Sequence, residues 1–324
     1  MWWVCLPYFF LVAGYFFRKS RQTDGSPLAY LGHYSSSLTW IFLAWLCVSI
    51  VVPSNWPSEV RHHGLWQPFY SEALKNLSLL ATQDTGKFLV GAHPVWQLWF
   101  LPALIVSLAT LTLLAKCRLQ RYVIPLIIGL YAIAFIEEVS ASHPLGSSYH
   151  WGFPGLWSLS ILFTALGWWL AGRGQPSVTT ALCLMVGGYA FALTEGAVIR
   201  AFFDSSPMEI RKHYYLGGII LVLGIFMLAL AKPNLGKSTP LPFLAQFTLG
   251  VYVSHNFVMD TLISLSIWLD NLGPGLQWLF LPAVYFVAVL FTLILSKVPI
   301  LRYLVARTER KRKGGQHCLE HRVG

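Results

Sequence analysis

Apolar residues fall into nine blocks along this chain: Trp3–Phe17, Ser37–Pro53, Pro94–Leu114, Tyr122–Ile136, Pro154–Gly172, Val178–Ile199, Tyr215–Ala231, Leu241–Ile263 and Gly275–Ser296. A membrane-spanning helix needs about 20 apolar residues. The blocks are apolar all round rather than along one stripe, and a soluble core cannot absorb so many such helices. The pattern predicts an all-α, polytopic transmembrane helix bundle of nine spans. Residues 1–300 form the membrane domain and residues 301–324 a basic tail. In the long gap Ser54–His93, Phe69, Ala73, Leu77 and Leu80 recur at helical spacing, with Lys75 opposite and Glu72 at the flank. An amphipathic helix on the outer membrane surface and an ordinary packed loop both fit that stretch.

Charge orients the spans. The tail and every second gap, which hold Arg18, Lys19, Arg21, Lys116, Arg118, Arg121, Arg173, Lys232 and Lys237, carry 17 of the 23 basic residues. The other side receives 6 basic residues and the other ten of the thirteen acidic ones, counting Glu195 and Asp260 near the outer ends of their blocks. Basic loops stay in the cytoplasm, so Gly324 is placed inside and, with an odd number of spans, Met1 outside. The net charge of +10 then reflects orientation and contact with anionic lipid, not nucleic-acid binding. Met1-Trp2-Trp3 enters the first span directly, with neither a basic leader nor a small-residue cleavage pattern. The first block is shorter than a full span. Together with the outside N-terminus, this raises the expectation of a further helix ahead of it.

Chemistry-bearing residues inside the blocks are few. His255 lies in the eighth block, towards its outer end, and Glu195 near the outer end of the sixth. Ionisable groups at such depth are costly unless partnered, hydrated or used. For His255, a base and a neutral histidine bonded to a neighbouring helix both fit. Glu195 could act in catalysis, snorkel or pair with Arg200. Glu137 and Glu138 close the fourth block on different helix faces, which rules out a paired dyad. They read as solvated interfacial charges, with Glu138 a candidate acceptor contact. His62-His63 lack further ligands at metal spacing, and the five cysteines form no metal or disulfide pattern. No metal is expected.

Four segments resemble acyltransferase family 3, the polytopic membrane O-acyltransferases of bacterial surface sugars and other extracytoplasmic acceptors. Pro7-Tyr8-Phe9-Phe10-Leu11-Val12-Ala13-Gly14-Tyr15-Phe16 is similar to a family helix that ends in Ser-Gly-Phe or Ser-Gly-Tyr, with Ala13 in place of the serine. Arg18-Lys19-Ser20-Arg21 follows it, like the Arg-x-x-Arg of some members. Gln97-Leu98-Trp99-Phe100-Leu101 resembles His-Leu-Trp-Phe-Leu, with Gln97 for the histidine and His93 four residues upstream. Phe163-Thr164-Ala165-Leu166-Gly167-Trp168 resembles a Phe-x-x-x-Gly span ending in a basic residue, here Arg173. Thr248-Leu249-Gly250-Val251-Tyr252-Val253-Ser254-His255 is close to Ser-Leu-x-Ile-Tyr-x-x-His. The resemblance extends from Pro7 to about Arg302. The family's first helix, which carries an Arg and a His, has no counterpart in this chain.

The resemblance implies a multi-pass plasma-membrane enzyme. It would move an acyl group, acetyl foremost, from cytoplasmic acyl-CoA to a hydroxyl of an extracytoplasmic sugar or glycan. It implies acyl-CoA binding by Arg18 and Arg21 and catalysis by His255, with His93 a further candidate and Gln97 and Trp99 as acceptor contacts; Glu195 and Glu138 join the catalytic and acceptor candidates by their position alone. The lipid bilayer and the glycan are the expected partners. Two other readings stay open. A non-enzymatic transporter or export-associated protein would be expected to show repeat symmetry, which is not clear here, and spans broken near the midplane; Gly187-Gly188 and Gly217-Gly218 could break them. The other is an inactive, N-terminally truncated acyltransferase.

Overall fold

The computed structural model describes residues 2–24, 27–53, 56–64, 66–82, 96–142, 155–202, 216–268 and 277–298. Every regular element among them is helical: α1 (Trp2–Asp24), α2 (Pro27–Val51), α3 (Trp56–His63), α4 (Gln67–Thr82), a 3-10 turn (Trp96–Trp99), α5 (Phe100–Lys116), a second 3-10 turn (Gln120–Tyr122), α6 (Val123–Ser142), α7 (Gly155–Leu170), α8 (Val178–Phe202), α9 (Leu216–Ala231), α10 (Leu241–Ala245), α11 (Thr248–Trp268) and α12 (Gln277–Lys297). Three stretches, starting at Leu31, Val178 and Leu279, are long and apolar enough to cross a membrane; α5, α7 and α9 are shorter apolar helices. The outward faces are apolar too, with Val186 71% and Leu281 73% exposed. That is how a helix meets lipid, not water. The basic tail lies outside the described residues.

The chain forms two compact units, Met1–Phe243 and Leu244–Gly324. In the first, α7 is the central helix. It packs against α1, α5 and α6, while α1 also meets α9, and α8 packs on α9. Trp157, Leu159, Ser160, Leu162, Phe163, Thr164, Ala165, Gly167 and Trp168 of α7 are all buried. Lipid tails are as apolar as leucine, so helices associate in a membrane through close packing and buried hydrogen bonds. Both occur here. A Cβ on Gly14 would overlap the carbonyl of Thr164, and a Cβ on Gly167 would overlap the carbonyl of Leu11. The two glycines thus let α1 and α7 touch backbone to backbone. Ser107 of α5 and Ser160 of α7 share a buried hydrogen bond of 3.0 Å.

A second glycine crossing joins α8 to α9. A Cβ on Gly188 would strike the backbone of Leu221 and Gly217, and one on Gly217 would strike Ala192 and Gly188. α8 runs unbroken through Gly188, and Gly217 lies in the first turn of α9. No span break of the kind expected of a transporter occurs at Gly187-Gly188; close packing accounts for Gly188 and Gly217. The side chain of Glu195 in α8 reaches the start of α9. Its Oε1 accepts the N–H of Leu216 at 3.0 Å and its Oε2 that of Gly217 at 2.7 Å. A helix start leaves its first N–H groups without intrahelical partners, and a carboxylate there also meets the favourable end of the helix dipole.

Other boundaries differ from expectation. α1 continues past Phe17 to Asp24, so Arg18 and Arg21 are helical rather than in a loop. The stretch starting at Pro94 does not run as one α-helix, because a 3-10 turn at Trp96–Trp99 precedes α5. The eighth block splits at Gln246–Phe247, and its main helix α11 extends to Trp268. The amphipathic stretch is the helix α4, but among its described side chains the buried ones are Pro68 and Asn76. Leu74 and Leu77 are exposed. Asn76 turns inward because its Nδ2 donates to the carbonyl of Ile50 in α2 at 3.0 Å.

Gly14→Ala and Gly167→Ala should each destabilise the protein by about 1–3 kcal/mol, the usual cost of overpacking. Gly187→Ala, where a Cβ meets nothing within 4 Å, should not. Thermal melts in detergent distinguish them. Glu195→Gln keeps only one acceptor oxygen for two N–H donors and should cost about 1–3 kcal/mol. It should show in the melt and not in turnover per folded molecule.

Candidate functional site

Three of the four singled-out segments meet in the first unit. Phe10 packs on Phe100 with ring centroids 4.6 Å apart and on Trp99 at 6.0 Å, and Phe9 packs on Phe100 at 6.1 Å. Leu11 and Gly14 meet Gly167 and Thr164 at the crossing. Further along both helices, Arg18 meets Trp168 and Gly172. The two helices therefore run in the same direction, and their basic ends lie side by side.

Arg18 is held there on two sides. Its Nη1 donates to the carbonyl of Trp168 at 3.1 Å, and its Cζ lies 4.3 Å from the centroid of the Trp168 ring. The carbonyl belongs to the last turn of α7, where acceptors lack intrahelical donors and a cation is favoured. Stacking on an indole adds cation–π attraction, about 0.5–2 kcal/mol depending on solvation. Two further cations share the region. Lys19 Nζ stands 5.9 Å from the Tyr15 ring, and the Arg173 guanidinium 4.3 Å from the Trp169 ring. Arg21 lies on α1, with its side chain outside the described residues. Guanidinium and ammonium groups gathered this way suit phosphate oxygens. Sequence reasoning found Arg18 but missed Trp168 and Gly172 as its neighbours. The available signal was an aromatic and a glycine four residues apart just before Arg173.

His255 lies in the second unit, as the eighth of the 21 residues of α11. The helix runs thirteen residues beyond it. Val251, Val258 and Leu262 occupy the same helix face by spacing. These three belong to the apolar cluster that packs α11 on Val284 and Ala288 of α12. The ring is half-buried, between Ser254 and Asn256, which are both buried. Its Nδ1 bonds the carbonyl of Tyr252, one turn back. A carbonyl can only accept, so Nδ1 carries the proton and Nε2 keeps a lone pair. A backbone acceptor thus fixes the tautomer in which Nε2 is the basic nitrogen.

The remaining candidates separate. Trp99 is buried against Phe10. Gln97 lies in the 3-10 turn and Glu138 in α6, with their side chains outside the described residues, and His93 lies outside them altogether. Glu195 has both oxygens engaged at the start of α9. Among the described residues, no group of three or more His, Cys, Asp and Glu is arranged to hold a metal ion.

Three of the four segments thus pack together within the first unit. The sequence model for an acyltransferase domain, that of acyltransferase family 3, matches residues 4–297 of the 324. No curated protein and no solved structure matches the chain. With a match over nearly its whole length, this apolar, all-helical membrane protein belongs to acyltransferase family 3.

Proposed function

We propose that the protein is a membrane O-acyltransferase that moves an acyl group, acetyl foremost, from cytoplasmic acyl-CoA to a hydroxyl of an extracytoplasmic sugar or glycan. The family match carries this reading. In the reaction the acceptor hydroxyl gives its proton to a base and its oxygen attacks the thioester carbonyl. The tetrahedral adduct then collapses, the carbon–sulfur bond breaks, and the CoA thiolate takes up the proton. His255 is the base in this account. Its Nδ1–H is spent on Tyr252, which leaves Nε2 to receive the proton, and imidazole is a side chain suited to both taking and returning it. Arg18 and Arg21 bind the CoA phosphates at the basic end of α1.

The account includes nine spans, with Met1 outside and Gly324 in the cytoplasm of a plasma-membrane protein. The 17-to-6 division of basic residues supports it. So does the shared direction of α1 and α7, which alternation of sides requires of the first and fifth spans. Donor and acceptor then lie on opposite faces, which is why the catalyst spans the bilayer.

His255→Gln keeps much of the volume and hydrogen-bonding capacity but cannot take up a proton near neutral pH. It should lower acyl transfer to the glycan by about 10²–10⁴-fold, with normal expression and melting. Wild-type turnover would remove His255 from the chemistry. Reporter fusions at Gly236 and Gly324 should read cytoplasmic and one at Gln83 external. A cytoplasmic signal at Gln83 would contradict the topology.

A further inference from the structure

Just past the end of α7 stands a glycine that its own backbone does not require. Gly172 does not adopt the left-handed conformation that favours glycine, unlike Gly64 and Gly236. It is exposed, so no buried helix contact calls for it either. A Cβ at this position would instead overlap the guanidinium of Arg18, meeting Nη2, Cζ and Nη1. This obstacle differs from those at Gly14 and Gly167, where a Cβ meets backbone. A guanidinium ends a flexible side chain, so an added methyl would push it aside and leave the helices where they are.

We infer that Gly172 and Trp168 are positioning residues for the acyl donor, which seat the guanidinium of Arg18 where it receives the phosphates of acyl-CoA. The inference rests on the donor-site reading of Arg18 above. Trp168 forms the floor of the seat, with its ring beneath Cζ and its carbonyl bonded to Nη1. Gly172 leaves the volume that the guanidinium fills. A long side chain held in place before binding has less rotamer freedom to lose when the ligand arrives, and the planar fork keeps a set orientation towards an anion. The size of residue 172 therefore sets donor affinity at little cost to the fold.

The test uses the full chain purified in detergent, with acetyl-CoA itself as the probe, and measures equilibrium affinity and melting temperature. Gly172→Ala should weaken acetyl-CoA binding about tenfold, the scale of one charge-assisted contact, with melting unchanged. Trp168→Phe, which retains a ring, should keep more affinity than Trp168→Leu. Arg18→Lys should bind more weakly than wild type, and adding Gly172→Ala to it should cost little more, because the compact ammonium does not fill the seat. Unaltered affinity in Gly172→Ala, or an equal loss in the wild-type and Arg18→Lys backgrounds, would overturn the positioning role while leaving the donor site standing. If Arg18→Lys bound acetyl-CoA as wild type does, the donor-site reading itself would fail, and the seat with it.

Discussion

The backbone contact between α1 and α7 is the constraint on which the rest of the first unit depends. Two glycines, Gly14 and Gly167, each occupy a place where any side chain would strike the other helix's carbonyl. The approach sets both the direction and the register of the pair. Once Leu11 lies against Gly167, Phe10 is placed on Trp99 and Phe100, and Arg18 arrives one helix end later at Trp168. In lipid no hydrophobic drive would recover such a register if it slipped. Packing and a few buried hydrogen bonds, such as Ser107 with Ser160, must specify it.

This explains why segments far apart in sequence belong together. The run Pro7–Phe16 and the run Phe163–Trp168 are the two halves of one crossing, and Leu98–Leu101 packs on the aromatic end of the first. Their glycine and phenylalanine content is a packing requirement. The proposed chemistry falls to a few polar groups at the helix ends and within α11. Arg18 is gripped from two sides and His255 is fixed in one tautomer by a backbone carbonyl. Both groups are carried on helices.

Much of this was legible in the chain, for identifiable reasons. Apolar blocks mark helices because lipid leaves the backbone no other way to satisfy its hydrogen bonds, and each block does contain a helix. Helix ends were less legible. Arg18 to Asp24 stay helical although polar, because a helix can leave the apolar layer without unwinding. Gln246–Phe247 interrupt a block that reads as continuous. The partner of Glu195 was not legible at all, since a helix start twenty-one residues on carries no composition signal. The same holds for Gly172, whose purpose appears only when the Arg18 side chain is in view.

The account stands on acyl-CoA meeting the protein at the adjoining basic ends of α1 and α7. A photoreactive acyl-CoA analogue, cross-linked to the full chain in membranes and mapped by mass spectrometry, reports this directly. The account predicts label in the peptides around Arg18 and around Trp168–Arg173, suppressed by excess acetyl-CoA. Competable label confined to other parts of the chain, with none at these two helix ends, would contradict it.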